Sequence, residues 1–274
     1  MNITLKFEKY TGAGNDFVLI DDRDDKVSDQ TFSEMAPVLC DRNFGIGGDG
    51  LMVIKSSLTH DFRMLYLNSD GSLAGMCGNG GRCISAFFSV LTGKEIVRFE
   101  TLSGTYSAQV TRNQVALSMI DPFDFSETGI QDTYYLNTGT QHLVILKKDL
   151  ENFDVFSEGK KLRYSDFAKS KNGANVNFIE GVDCNSIRIR TYEKGVENET
   201  LACGTGTVAG AIIAYRQGIV KTRPVSVKVQ SGQLLTVDFN DDFKEVILTG
   251  PADFLFSGAC QLQKENNQNW VLTR

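Results

Sequence analysis

Two cysteines in this chain stand in matching surroundings. Cys77-Gly78-Asn79-Gly80 and Cys203-Gly204-Thr205-Gly206 each set one thiol before a Gly-x-Gly turn. An apolar, small-residue segment follows each: Ile84-Ser85-Ala86-Phe87-Phe88 after the first, Val208-Ala209-Gly210-Ala211-Ile212-Ile213-Ala214 after the second. Both segments read as helices. Unpaired backbone N–H groups at a helix start, with the helix dipole, favour negative charge, so a thiol placed there ionises readily. One such cysteine suggests a nucleophile. Two matched ones suggest an acid and a base facing each other, a proton-transferring thiol pair. Once one sulfur is charged, a neighbour resists ionising, so the pair would hold one thiolate and one thiol.

The similarity extends beyond the cysteines. Thr11-Gly12-Ala13-Gly14-Asn15-Asp16-Phe17-Val18-Leu19-Ile20 resembles Thr138-Gly139-Thr140-Gln141-His142-Leu143-Val144-Ile145-Leu146, and Phe99-Glu100-Thr101-Leu102-Ser103-Gly104 echoes Val227-Lys228-Val229-Gln230-Ser231-Gly232. Thr11 precedes Cys77 by 66 positions, and Thr138 precedes Cys203 by 65. Gly104 follows its cysteine by 27 and Gly232 follows by 29. Three landmarks in register predict a duplication. Two similar lobes facing across a pseudo-two-fold axis would bring both thiols to one cleft, and domain junctions are favoured ligand sites.

The elements that must position these residues are mostly strands. Phe17–Asp21, Gly50–Lys55, Phe62–Leu67, Val97–Glu100, Tyr106–Thr111 and Val115–Met119 read as strands in the first half. Leu143–Leu146, Val176–Ile179, Ser186–Thr191, Val225–Val229, Leu234–Phe239 and Glu245–Thr249 match them in the second. Helical patterns fall at Thr31–Cys40, Arg82–Leu91, Tyr164–Lys169 and Thr207–Gln217; the last is small and apolar throughout, as in a helix buried all round. Each half reads as a mixed sheet curled about a central helix, an α+β class with two pseudo-symmetric lobes. Asp121-Pro122-Phe123 marks the boundary, since proline ends the strand before it. The expected lobes are residues 1–121 with 261–274, and residues 122–260.

A chain of 274 residues suffices for two such lobes. Its composition is globular, 41% hydrophobic and 23% charged, and its net charge of −6 argues against nucleic acid as the main partner. No run approaches the ~18 apolar residues of a membrane span. The first residues alternate like a strand, so no export signal is expected and the chain is placed in the cytoplasm. The six cysteines are then expected as reduced thiols.

Other candidates read more blandly. Cys40, Cys184 and Cys260 are expected as buried small residues, and Cys83 as core in the first helix. A metal site is not expected: no Cys-x-x-Cys occurs, and the two histidines lack ligand spacing. Gly45-Ile46-Gly47-Gly48-Asp49-Gly50 formally fits Gly-x-Gly-x-x-Gly, but precedes a strand instead of opening a helix, so it reads as a turn and not a dinucleotide site. His60 lies in a polar stretch and is expected at the surface. His142 occupies the turn equivalent to Asn15-Asp16 and is expected at the site.

These motifs resemble those of the diaminopimelate epimerase family along nearly the whole chain. Lys9-Tyr10-Thr11-Gly12-Ala13-Gly14-Asn15-Asp16-Phe17-Val18 resembles its N-terminal signature. Leu67-Asn68-Ser69-Asp70-Gly71-Ser72 with Met76-Cys77-Gly78-Asn79-Gly80-Gly81-Arg82-Cys83 resembles the first cysteine signature, and Tyr192-Glu193-Lys194-Gly195 with Glu199-Thr200-Leu201-Ala202-Cys203-Gly204-Thr205-Gly206 the second. The resemblance implies a cofactor-independent epimerase, free of pyridoxal phosphate, that interconverts LL- and meso-2,6-diaminopimelate for lysine and peptidoglycan precursors. It implies a homodimer. By matching positions it implies Cys77 and Cys203 as the catalytic thiols, with His142 and Glu193 in support. It implies Asn15, Gly50, Asn68, Asn175, Glu193 and Lys194 as substrate contacts, with Gly78-Asn79 and Gly204-Thr205 holding the reacting end.

Two departures bear on recognition. The family usually has proline where Gln141 stands, and arginine where Lys194 stands. Lysine keeps the charge but loses the bidentate fork for a carboxylate. The segment Lys194–Glu199 is also one residue longer than in many members. The alternative enzyme is a racemase of the proline or hydroxyproline type, but Asn79 and Glu199-Thr200 differ from its motifs. From another class, a two-thiol redox sensor would not need polar positions suited to a dicarboxylate.

Overall fold

The computed structural model describes residues 2–112, 114–265 and 269–273. The chain forms two compact units: residues up to Leu117 together with Pro251 onward, and Ser118–Gly250. The first runs β1 (Asn2–Gly12), β2 (Asn15–Asp22), α1 (Asp29–Cys40), β3 (Gly50–Lys55), β4 (Phe62–Asn68), β5 (Leu73–Ala74), α2 (Gly78–Thr92), β6 (Ile96–Thr101), β7 (Gly104–Val110) and β8 (Val115–Ser118), which ends at the boundary. The second runs β9 (Phe123–Glu127), β10 (Thr133–Asn137), β11 (Gln141–Leu146), α3 (Val155–Arg163), α4 (Asp166–Ser170), β12 (Asn175–Gly181), β13 (Ser186–Glu193), β14 (Asn198–Thr200), α5 (Gly204–Arg216), β15 (Val225–Lys228), β16 (Leu234–Asp238) and β17 (Ile247–Gly250). The first unit is then completed by β18 (Asp253–Glu265) and β19 (Asn269–Leu272).

The units repeat one another strand for strand. In the first, β1 and β2 are antiparallel, β2 and β3 parallel, β3 and β4 antiparallel, β4 and β6 parallel, and β6, β7 and β8 form a meander. In the second, β10 and β11 are antiparallel, β11 and β12 parallel, β12 and β13 antiparallel, β13 and β15 parallel, and β15, β16 and β17 form the meander. Short strands β5 and β14 attach to β4 and β13, and β18 and β9 attach to β1 and β10. The duplication read from three landmarks thus recurs in the connectivity. Gly104 and Gly232 both mark the turn into the middle strand of the meander, at φ of +126° and +85°, where a side chain would be strained.

Each sheet is packed against one helix that follows a cysteine. α2 lies against β1, β2, β3, β6 and β7, and is buried from Gly78 to Phe88. α5 lies against β10 to β13, β15 and β16, with Gly204 and Gly206 to Ala214 buried. In the first unit α1 brings Phe32, Met35, Ala36 and Leu39, spaced as one helical face, to a core with Leu5, Phe7, Val18, Ile20 and Trp270. β3 is buried at every residue, as a strand covered on both faces must be.

Three expectations change. Residues 251–260, assigned by sequence to the second lobe, lie with the first, because β18 pairs with β1 from Asp253 opposite Thr11 to Gln263 opposite Asn2. Residues 118–121 fall in the second unit. The helix expected over Tyr164–Lys169 is the short α4, capped by Ser165, and a helix the sequence did not suggest, α3, precedes it, capped by Asp154 and ended at Tyr164. α3 is obscured in the sequence by its polar residues and by Gly159. That glycine lets the helix lie on β13, since a Cβ there would stand 2.4 Å from Tyr192 Cβ.

Candidate active site

Both central helices begin earlier than their apolar patterns suggest, at Gly78 and Gly204, so each cysteine is itself the N-cap. The glycine runs lower helix propensity in the sequence but are demanded by packing. A Cβ on Gly80 would lie 1.8 Å from Met52 Cε, and one on Gly81 2.4 Å from Met76 Cε. Gly12, the last residue of β1, meets the first turn of α2: its Cβ would stand 2.8 Å from Asn79 O.

In the first unit Cys77 is half-buried with extended backbone, φ −127° and ψ 123°, and its Sγ accepts from Gly80 N at 3.5 Å. Behind it runs a polar chain. Arg82 Nη2 donates to Asn79 Oδ1 at 3.0 Å, Asn79 Nδ2 donates to Asn15 Oδ1, and Asn15 Nδ2 donates to Asp49 Oδ2 at 2.9 Å. A guanidinium only donates and a carboxylate only accepts, so the two ends fix the orientation of both amides between them. Arg82 is fully buried, and it also donates to two neutral carbonyls, Pro251 O at 3.3 Å and Gly78 O at 3.2 Å. Burial pushes its guanidinium down from the usual value, against the favourable influence of Cys83 and Cys77. Beyond Asp49, Arg42 bridges Asp49 and Asp16 at 2.7 Å each, and Lys9 pairs with Asp16 at 2.7 Å. Burial works to raise Asp16, but hydrogen bonds from Arg42 and Lys9 hold it below the ordinary carboxylate value. Gly50 starts β3 opposite Asn68, at the end of β4. It is buried beneath Tyr66, where a Cβ would come within 2.8 Å of the ring, so it offers backbone alone. Asn68 Nδ2 donates to Ser72 Oγ at 3.0 Å.

The second unit builds the equivalent rim. Cys203 is buried at the start of α5, its Sγ 3.5 Å from Thr205 Oγ1. Thr138 Oγ1 ties the preceding turn to Thr205 O at 3.1 Å. Asn175 starts β12 beside His142 on β11. Asn175 Oδ1 accepts from Lys194 N at 2.9 Å, while its Nδ2 donates to Gln141 O at 3.3 Å. Glu193 Oε2 accepts from Thr200 Oγ1 at 2.8 Å. His142 is wholly buried. Its Nδ1 stands 3.0 Å from Asn177 Nδ2, whose amide is oriented by Thr191 Oγ1 donating to Asn177 Oδ1, so Nδ1 accepts and Nε2 carries the proton. That Nε2 has no hydrogen-bond partner among the described residues. Burial, helped by the charge of Lys194, pushes His142 down to about 3. It is therefore a neutral ring at ordinary pH, not a cation.

The structure joins Asn15 to Asn79, Asn175 to Lys194, and Gly50 to Asn68 by strand pairing. Cys77 and Cys203 belong to different units. The remaining cysteines differ in setting. Burial pushes Cys40 and Cys83 up to about 12, which makes them inert. Cys184 is exposed and Cys260 half-buried, so neither is the buried residue expected. His60 is half-buried rather than fully at the surface. Sequence reasoning missed Arg82, Asp49 and Asn177 as supports. One signal was available: an arginine within a helix otherwise small and apolar. Another was the alternation Asn175-Val176-Asn177, which sets two amides on one face of a strand.

Two pseudo-repeated α+β units, each a mixed sheet about a cysteine-capped helix, define the class of fold. The chain resembles a solved PhzF-family protein from Bacillus anthracis, with TM-score 0.70 and 16% identity over 94% of this chain and 99% of that one. It also resembles a hydroxyproline epimerase from Agrobacterium vitis, solved with bound trans-4-hydroxy-L-proline, with TM-score 0.69 and 14% identity over 93% and 92%. At such identities the likeness shows the fold alone. A family model described as diaminopimelate epimerase matches residues 7–125 and 134–255. Diaminopimelate epimerases from Aquifex aeolicus (40% identical, 93% of this chain and 97% of the relative) and Chlorobaculum tepidum (42% identical, 92% and 100%) are similar throughout. The chain belongs to the diaminopimelate epimerase family, and it is an isomerase independent of pyridoxal phosphate.

Proposed function

We propose that the protein interconverts LL- and meso-2,6-diaminopimelate by moving a proton at one α-carbon between two thiols. The observation that carries this reading is the duplicated N-cap: a cysteine opens the central helix of each unit. In the working enzyme the two helix starts address one stereocentre. The thiolate of one cysteine takes the α-proton, and the electron pair left on carbon spreads into the adjacent carboxylate. The thiol of the other cysteine then gives its proton to the opposite face, leaving a thiolate there. Each turnover exchanges the charge state of the pair, and the reverse reaction restores it.

The developing carboxylate charge is met by backbone N–H groups at Gly78-Asn79 and Gly204-Thr205, at the positive ends of two helix dipoles. His142 and Glu193 support the thiols, His142 as a neutral, buried ring whose Nε2 carries the proton. Asn15, Gly50, Asn68, Asn175, Glu193 and Lys194 hold the substrate, whose second amino-acid end needs partners of both signs. The product serves lysine and peptidoglycan precursor synthesis, and the site of action is the cytoplasm. Among the described residues no helix is long and apolar enough to cross a membrane. The active form is a homodimer, a reading supported by Phe254, Leu255 and Phe256, which stand 52%, 49% and 46% exposed in succession on β18.

The test is turnover of LL-diaminopimelate beside proline, hydroxyproline and glutamate, in D₂O. Diaminopimelate alone should epimerise, with deuterium entering at the α-carbon. Cys77→Ala and Cys203→Ala should each abolish epimerisation. Near-normal turnover by either variant, or epimerisation without exchange, refutes the two-thiol reading.

A further inference from the structure

Gln141 and Lys194, 53 residues apart in the chain, touch. Lys194 Nζ donates to Gln141 Oε1 at 2.9 Å. The same oxygen receives Thr140 Oγ1 at 3.4 Å. Asn175 closes the ring, donating to Gln141 O and accepting from Lys194 N. The lysine is thus held at both its ammonium and its backbone, and the glutamine amide is oriented. With the oxygen committed to an ammonium, the Gln141 NH₂ group is a donor beside it.

We propose that Gln141 and Lys194 together form a composite two-donor site for a carboxylate, replacing the fork that one arginine would supply. A lysine alone is a mobile point charge. A lysine anchored by an amide oxygen, with the amide nitrogen next to it, presents two N–H donors on a semi-rigid frame. The surroundings suit an anion. Burial and the like charge of Arg163 push the Lys194 ammonium down from its ordinary value, whereas a carboxylate partner acts in the other direction. Arg163 itself is paired with Glu197 at 3.2 Å. On the reading of Lys194 as a substrate contact, on which this inference rests, the anion is the carboxylate of the diaminopimelate end that does not react. Gln141 is then a specificity-determining residue.

The experiment measures KM and kcat for LL-diaminopimelate in Gln141→Met, Gln141→Glu, Lys194→Ala and the double variant Gln141→Met/Lys194→Arg. Gln141→Met removes the amide donor and should raise KM by about tenfold, the worth of one good hydrogen bond to a charged group. Gln141→Glu makes a stronger pair with Lys194 yet presents negative charge to the substrate. It should raise KM further, to about a hundredfold, while holding or raising the melting temperature. In each case KM should move far more than kcat. The double variant should recover most of the lost affinity, because arginine carries its own fork. A purely structural Gln141 predicts the opposite for glutamate, and KM unchanged in Gln141→Glu overturns the proposal. So does failure of arginine to rescue Gln141→Met. An unaltered KM in Lys194→Ala refutes the underlying assignment of Lys194 instead. A raised KM there with unaltered Gln141 variants refutes only the composite site.

Discussion

His142 permits a quantitative test of how the second unit is built. The ring is wholly buried, its Nδ1 bound by Asn177, and its protonation is displaced from 6.5 to about 3 by burial and by the Lys194 charge. An unfolded chain protonates this ring near its ordinary value; the folded chain resists. Between those values the unfolded state binds more protons, so stability falls as the pH falls. The contribution is complete above the unfolded value, declines as pH drops below it, and stops changing below the folded value. At about pH 5 the loss is about 2 kcal/mol relative to neutral pH, and by about pH 3 it approaches roughly 5 kcal/mol. The assay is urea unfolding at neutral pH and near pH 5 for the native chain and for His142→Gln, the difference of differences isolating this ring from other acid-sensitive groups. The chain has two histidines, so a His60→Gln background leaves one imidazole, and its ring resonances report His142 directly. A midpoint near the free-histidine value in the folded protein would refute the reasoning, as would equal pH sensitivity with and without His142.

Gly206→Ala would place a Cβ 2.3 Å from Asn177 Oδ1, on an amide already bound to Thr191, His142 and Leu143. We expect a loss of about 1–3 kcal/mol in urea unfolding from overpacking, with His142 titrating higher as its amide partner is displaced. Unchanged stability would show that this amide can yield. Arg82→Met removes the hydrogen bonds that Arg82 donates to Pro251 O, Gly78 O and Asn79 Oδ1. A loss of about 3 kcal/mol or more is expected in the same measurement, and Arg82→Lys should recover only part, because one ammonium on a narrower head cannot span three acceptors. Full recovery by lysine would count against the fork geometry.

The residues proposed to carry the chemistry stood out in the sequence because they sit in short, ordered motifs. Cys77 and Cys203 stood out by the Gly-x-Gly that follows each, whose second glycine, Gly80 or Gly206, is required by close packing under the first helical turn. Strands such as Gly50–Lys55 and Phe62–Leu67 were legible from their apolar runs. β18 was not: it is largely exposed and joins the first unit through backbone pairing with β1, which leaves little mark on side-chain pattern. α3 was hidden because propensity counts its glycine as a defect, while Tyr192 requires it.

Local sequence, then, singled out the residues proposed to move a proton and determined that the chain is built twice, since helix starts, turns and repeats are short-range properties written in neighbouring residues. Only the tertiary structure decided the rest: that Arg82 and Asp49 polarise the amides between them, that His142 is neutral, and that Gln141 meets Lys194. Each of these depends on residues far apart in the chain, and on the removal of water around a polar group, which no local pattern records.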